Sequence, residues 1–254
     1  DKKKKENLDN ITQDVEIYCL VLDYAENGSL EYKYKLMREI NPNNHFRTKF
    51  IIKIFKQLLN GLKYLQDEKV IHRDIKPDNI LLDSNDNVKI SDFGISALYK
   101  RAFSFDNQKD IDPDLFMNYT LIGRLDFICP EIEKRQNYYF EADIFGAGLT
   151  LLVIMSKENP IINHEFFRAI NYNNTFNYNS YLIGLVLKML NQEYIFRSNA
   201  SEALFELKLI EQIIEEPNNQ EVKLKLDLIN SRYNEEVKNF ESKHNYSNQE
   251  NMNN

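Results

Sequence analysis

Tryptophan is absent from this 254-residue chain, and glycine, proline and cysteine occur only seven, six and two times. The two cysteines, Cys19 and Cys129, form no Cys-x-x-Cys pair and stand near no histidine cluster, which argues against a zinc site and a disulfide framework. A reducing intracellular compartment fits that usage. The longest apolar stretch, Ile144 to Met155, is too short to span a bilayer, and no signal peptide is visible. No internal repeat occurs, and no heptad run is long enough for a coiled coil. A net charge of −7 argues against a nucleic-acid partner.

What is present is an ordinary globular balance, 43% hydrophobic and 28% charged, in a chain long enough for one domain with a sizeable core. Its most informative segment is His72-Arg73-Asp74-Ile75-Lys76-Pro77-Asp78-Asn79, followed by Asp92-Phe93-Gly94. Between them, Ile80-Leu81-Leu82 and Val88-Lys89-Ile90 are β-prone runs on either side of the turn-rich Asp83-Ser84-Asn85-Asp86-Asn87. A hairpin centred near Asn85 puts residue 79 almost opposite residues 91 and 92. Asn79 and Asp92 then converge as oxygen donors suited to Mg²⁺, a hard cation that keeps several of its waters. Asp74 lies on the preceding loop, within reach of a hydroxyl proton, and Lys76 can sit beside a phosphate. Together these residues describe a phosphoryl-transfer site.

The segment closely resembles the catalytic loop and metal-binding triplet of eukaryotic protein kinases, and Lys76 within Asp-Ile-Lys-Pro-Asp-Asn looks like the serine/threonine branch. The resemblance implies Asp74 as catalytic base, Lys76 as the cation steadying the transferred phosphoryl group, and Asn79 and Asp92 as Mg²⁺ ligands. It continues in order along the chain. Cys129-Pro130-Glu131 stands where the family carries Ala-Pro-Glu, and Arg197 resembles the late arginine that the family pairs with that glutamate. Asp143-Ile144-Phe145-Gly146-Ala147-Gly148 looks like the family's Asp-x-Trp-Ser-x-Gly motif, with Phe for Trp and Gly for Ser. Upstream, Glu16 to Leu22 reads as a buried strand and Asp23 to Leu30 as a turn, together similar to the kinase hinge. That likeness implies Leu22 behind an ATP pocket, Asp23, Tyr24 and Ala25 along the adenine, and Leu81 as the pocket floor. Phe50 to Gln66, Ala142 to Met155, Tyr181 to Leu190 and Ala200 to Ile214 read as helices from their apolar spacing.

Several family features are missing. No Gly-x-Gly-x-x-Gly, strand lysine or partner glutamate precedes residue 16, and Lys2 to Lys5 cannot supply them. The expectation is therefore a kinase fragment, incompetent alone: a mainly α, kinase-like C-terminal lobe with a short β-hairpin at the catalytic loop and a hinge-strand remnant of the small lobe. Residues 1–15 are expected to be disordered or a remnant, 16–214 the incomplete kinase domain, and 215–254 a polar tail with a possible helix over 221–240. Between Gly94 and Cys129, Thr120 occupies a place phosphorylated in many kinases, with Arg73 as the receiver of that phosphate. Gly123-Arg124 departs from the family's Gly-Thr, and Arg124 is placed to pair with Asp74 or compete with a substrate hydroxyl.

The implied activity is transfer of the ATP γ-phosphoryl group to serine or threonine hydroxyls of protein substrates, with Mg²⁺ and no nucleic-acid or membrane partner. A catalytically weak or inactive scaffold lobe is the rival, and a small-molecule phosphotransferase a weaker alternative.

Overall fold

The computed structural model describes residues 19, 21–41, 46–94, 96–98, 127–134, 139–156 and 178–252. Most of them are helical. Helix α1 (Leu30–Ile40) begins where the Ser29 hydroxyl accepts the Tyr32 amide, and it buries Leu30 and Tyr34. Helix α2 (Thr48–Asp67) carries Ile51, Ile54, Phe55, Leu58, Leu59 and Leu62 as one buried stripe. It ends in a turn at Lys69, whose φ of 61° lies in the left-handed region.

Four short strands follow among the described residues. β1 (Val70–Ile71) pairs antiparallel with β4 (Ala97–Leu98), and β2 (Ile80–Leu82) pairs antiparallel with β3 (Val88–Ile90) in the register Ile80 opposite Ile90. The β2–β3 turn is closed by one carboxylate: Asp83 Oδ1 accepts the amides of Asn85 and Asn87, and Oδ2 accepts the Asn87 side-chain amide. Asp86 then ties the hairpin to α1, taking Lys33 Nζ at 2.5 Å and Asn27 Nδ2 at 2.8 Å.

The remaining α-helices among the described residues are α3 (Pro130–Glu133), α4 (Phe140–Met155), α5 (Ser180–Met189), α6 (Ala200–Glu215) and α7 (Gln220–Met252). Every residue of α4 from Ala142 to Met155 is buried, as its unbroken apolar run demands, and α4 packs between α2 and α5. A reciprocal Asn199–Glu202 capping box starts α6, which rests on α2. Val222 and Leu226 of α7 pack into the same core.

Two expectations need correction. The buried strand over Glu16 to Leu22 is not formed in its described part: residues 21–25 belong to no strand, and Val21 and Leu22 are 92% and 68% exposed. Extended backbone needs a neighbour to satisfy its polar groups, and here pairing starts only further on. Asn27 N donates to the Leu82 carbonyl and Leu82 N to the Gly28 carbonyl, with Ser29 bridging to Leu81. The polar tail is also more ordered than its composition implies, since α7 continues to Met252 rather than stopping near residue 240. Residues 1–18, Thr120 and Arg124 lie outside the described residues.

Candidate active site

The catalytic-loop residues are placed from behind, by α4. The Asp143 carboxylate accepts the backbone N–H of His72 on one oxygen and that of Arg73 on the other, both at 2.7 Å. These bonds hold Arg73 at a φ of 71°, a left-handed conformation that costs a non-glycine residue about 1–2 kcal/mol. Burial pushes the Asp143 carboxyl up to about 7, against the pull of the two amide donors and the Arg73 guanidinium.

His72 is buried, and its ring joins two parts of the site. Nδ1 accepts the Asp74 amide at 3.2 Å, so the proton sits on Nε2, which donates to the Ser91 carbonyl at 2.9 Å. Burial lowers its pKa and keeps the imidazole neutral, with the Ser91 bond and the Asp74 and Asp92 charges opposing. The Phe93 ring meets it edge-on at 4.7 Å between centroids. Ser91 in turn donates its amide and its hydroxyl to the Asn79 carbonyl, at 2.9 and 3.0 Å. The hairpin therefore brings Asn79 beside the residue preceding Asp92.

Asp74, Lys76 and Asn79 form one buried cluster. Asp74 Oδ2 accepts Lys76 Nζ at 2.7 Å and Asn79 Nδ2 at 2.8 Å, and the same Asn79 nitrogen reaches the Asp74 carbonyl at 2.9 Å. With the amide nitrogen directed at Asp74, the Asn79 side-chain oxygen is left as an acceptor. Asp92 is exposed at a φ of 64°, with Oδ1 accepting the Gly94 amide at 3.3 Å. One carboxamide oxygen and one exposed carboxylate are hard donors that fit Mg²⁺, a cation needing few protein ligands beside water and phosphate. Among the described residues no group of three His, Cys, Asp or Glu side chains could hold a metal by itself.

In the segment expected to border the adenine, Leu22, Asp23 and Tyr24 are exposed and Ala25 is buried. Lys89 lies 3.6 Å from Asp23, and it is the cross-strand partner of Leu81. Directly opposed residues on an antiparallel pair share a face, so Leu81 and Asp23 stand on the same side of the hairpin.

The pairing expected between Glu131 and Arg197 is present and bidentate. NH1 and NH2 reach the two carboxylate oxygens at 2.5 and 2.7 Å, with both side chains buried. Arg197 also donates from NH1 to the Glu141 carbonyl and from Nε to the Asn191 carbonyl, and its guanidinium lies 4.7 Å from the centre of the Phe145 ring. Removing either charge would leave the other buried, at about 3–5 kcal/mol. The sequence did not reveal the Asp143 contacts, the His72–Ser91 link, or a second buried pair of Lys188 with Glu206 at 2.7 Å. Only the Asp143 motif offered a signal for any of these. A small cavity behind the loop, lined by Arg73, Asp74, Ile75, Cys129, Ala142 and Gly146, has room for about one water molecule.

A helical body carrying a carboxylate, a lysine and two oxygen donors around one hairpin is suited to phosphoryl transfer, and comparison with known proteins names the family. A model described as the protein kinase domain matches residues 7–244. The chain is 30% identical over 151 residues to the serine/threonine-protein kinase shk1/pak1 of Schizosaccharomyces pombe, covering 59% of this chain and 20% of that protein. It is 35% identical over 141 residues to the mitogen-activated protein kinase kinase mkk2 of Aspergillus fumigatus, covering 56% and 25%. It is 33% identical over 152 residues to the L-type lectin-domain containing receptor kinase VI.2 of Arabidopsis thaliana, covering 58% and 20%. The chain belongs to the protein kinase domain family. Its matched part spans about a fifth to a quarter of the length of these relatives. No described helix is long and apolar enough to cross a membrane.

Proposed function

We propose that this chain carries the catalytic-loop half of a serine/threonine protein kinase, transferring the ATP γ-phosphoryl group to a hydroxyl of a protein substrate. The observation that carries the reading is the Asp74 carboxylate. One oxygen is fully engaged by Lys76 and Asn79, while the other takes no hydrogen bond from a described residue. A carboxylate anchored on one side and open on the other is oriented to accept the substrate hydroxyl proton as the oxygen attacks the γ-phosphorus and ADP leaves. Lys76, 2.7 Å from that carboxylate, stands where it can also meet the equatorial oxygens of the moving phosphoryl group. Asn79 and Asp92 would hold Mg²⁺, which neutralises phosphate charge when bound. Leu22, Asp23, Tyr24 and Ala25 would border the adenine above Leu81. Arg73 would receive a phosphate on Thr120.

The exposed Val21, Leu22 and Tyr24 also suit a scaffold that presents this edge to another protein. Phosphoryl transfer by the full-length protein separates the two readings. Asp74→Asn should lower kcat by about 10²–10⁴-fold with nucleotide affinity kept, the usual contribution of a positioned base. Asp92→Asn should abolish Mg²⁺-dependent nucleotide binding. A full-length protein that binds no nucleotide with Mg²⁺ present, or an Asp74→Asn variant as active as the parent, would refute the kinase reading.

A further inference from the structure

Helix α7 touches the loop that carries Arg197 at two places. The Tyr233 ring lies 5.5 Å from Lys188 Nζ, over the Lys188–Glu206 pair, and its hydroxyl accepts a hydrogen bond from Asn191 Nδ2 at 2.7 Å. Two turns on, Phe240 meets Phe196 edge-to-face at 5.1 Å. The helix does not depend on either contact for its seat, because Val222 and Leu226 are buried in the core and Ile229 packs against it.

Asn191 is the junction. Its side-chain oxygen accepts the Glu193 amide at 2.9 Å, and its backbone carbonyl accepts Arg197 Nε at 2.7 Å. Arg197 passes the constraint on, through two bonds to Glu131 at the head of α3 and one to the Glu141 carbonyl at the start of α4. The path from α7 to α3 is thus continuous: Tyr233 hydroxyl, Asn191 amide, Asn191 carbonyl, Arg197 guanidinium, Glu131 carboxylate.

From this path we infer that Tyr233 is a positioning residue: through Asn191 it sets the orientation of Arg197 and so the placement of α3. Without the Tyr233 hydroxyl, the half-buried Asn191 amide loses its acceptor, and the side chain keeps only the Glu193 amide on its oxygen, so the 191–193 turn is held less tightly. A looser turn lets the Asn191 carbonyl, on which Arg197 rests, shift. α3 follows directly on the Gly94–Cys129 stretch, so a C-terminal helix outside the catalytic loop would tune how the protein substrate is held. That consequence rests on the kinase reading, whereas the coupling from α7 to α3 does not.

Tyr233→Phe in the full-length protein tests the coupling, since it removes one oxygen and keeps the ring over Lys188. Amide hydrogen exchange should rise about two- to tenfold at Ile132, Glu133, Lys134 and Arg197, the span set by the loss of one hydrogen bond from local stability. The first two of these amides donate to the Cys129 carbonyl, and the others to Pro130 and Tyr194. Exchange in the β2–β3 hairpin should not move. Tyr181→Phe is the control, because it removes a different hydroxyl contact with α7, Tyr181 of α5 to Asp227 at 2.7 Å, which has no link to Arg197. Unchanged exchange at 132–134 in Tyr233→Phe, or an equal rise in Tyr181→Phe, overturns the coupling.

In phosphoryl-transfer assays Tyr233→Phe should raise KM for the protein substrate by a similar factor while leaving KM for ATP unchanged. A KM for protein substrate that stays put overturns the functional consequence. Absence of transfer by the unsubstituted protein would refute the kinase reading and leave the exchange result to decide the coupling.

Discussion

Replacing Gly146 by alanine adds one methyl group at the point where α4 meets the catalytic loop. The new Cβ would sit 2.7 Å from the Ile75 carbonyl oxygen and 3.1 Å from Ile75 Cβ, where ordinary contact begins near 3.4 Å. The two backbones must part by about 0.7 Å, and neither is free to do so: α4 is buried along this whole stretch, and Ile75 adjoins Asp74. Overpacking of this kind costs about 1–3 kcal/mol, partly offset by the helix preference for alanine over glycine, about 1 kcal/mol. Gly184 in α5 supplies the reference, because a Cβ built there meets nothing within 4 Å. Gly184→Ala should therefore stabilise the protein by up to about 1 kcal/mol.

The difference between the two variants cancels the propensity gain and leaves the clash alone, about 1–3 kcal/mol. Urea unfolding with a common slope reads it directly as a difference in midpoint. Activity should fall in Gly146→Ala as well, since a shift approaching 1 Å at a reacting group can cost about 10²-fold. Equal, same-sign midpoint shifts in the two variants would mean that the loop gives way freely. The claim that α4 fixes the backbone behind Asp74 would then be wrong.

Lys188→Met alone should destabilise by about 3–5 kcal/mol by leaving Glu206 buried and unpaired, whereas Lys188→Met with Glu206→Leu should cost far less than the sum of the single changes; denaturant midpoints of the three variants check this. Asp143 gives a pH signature: its folded value of about 7 lies above the ordinary 3.8, so its contribution is full below pH 3.8 and is lost as pH rises to about 7. The loss is roughly 4 kcal/mol by linkage. The stability difference between the parent and Asp143→Asn should slope across that window and flatten above it; a pH-independent difference would show that Asp143 does not titrate there.

Sequence reading reached those parts of the fold written in periodicity and turn chemistry. The stripe of α2, the apolar run of α4 and the turn residues around Asn85 each specify their element locally, and the structure places helices and a hairpin there. The approach of Asn79 to the Asp92 region followed from the hairpin register. Helix α1 escaped notice although Ser29 caps it, because its spaced apolar residues Leu30, Tyr34 and Met37 sit among charges that mask the stripe. The exposed edge at Val21 and Leu22 was misread because β-propensity says what fits a sheet, not whether a neighbouring strand is present. In the tail a possible helix over 221–240 was legible, but its extension to Met252 and its packing were not. Its sparse apolar positions Val222, Leu226 and Ile229 pack on the core and Tyr233 bonds Asn191, and composition alone carries no trace of those partners. The Lys188–Glu206 pair was invisible because residues eighteen apart on two helices carry no local pattern.

The residues that escaped the sequence reading explain how those it found are held. Arg73, which precedes Asp74, and Asp92 itself both adopt left-handed backbone, at φ of 71° and 64°, one at each of the two carboxylates that carry the proposed chemistry. Neither conformation is locally preferred, and each would relax by about 1–2 kcal/mol if released. Arg73 is held by Asp143, from a helix that touches no proposed substrate. Asp92 is held at its neighbour Ser91, which is bonded to both Asn79 and His72. His72 closes the circuit, since its amide rests on Asp143 and its ring on Ser91. The strain at the two carboxylates is therefore balanced by a single connected set of bonds, Asp143 to His72 to Ser91 to Asn79, and loosening any member should disturb both sides of the site at once. Gly146 belongs to the same device, three residues along α4 from Asp143, with its missing Cβ leaving space for the loop to be drawn that close.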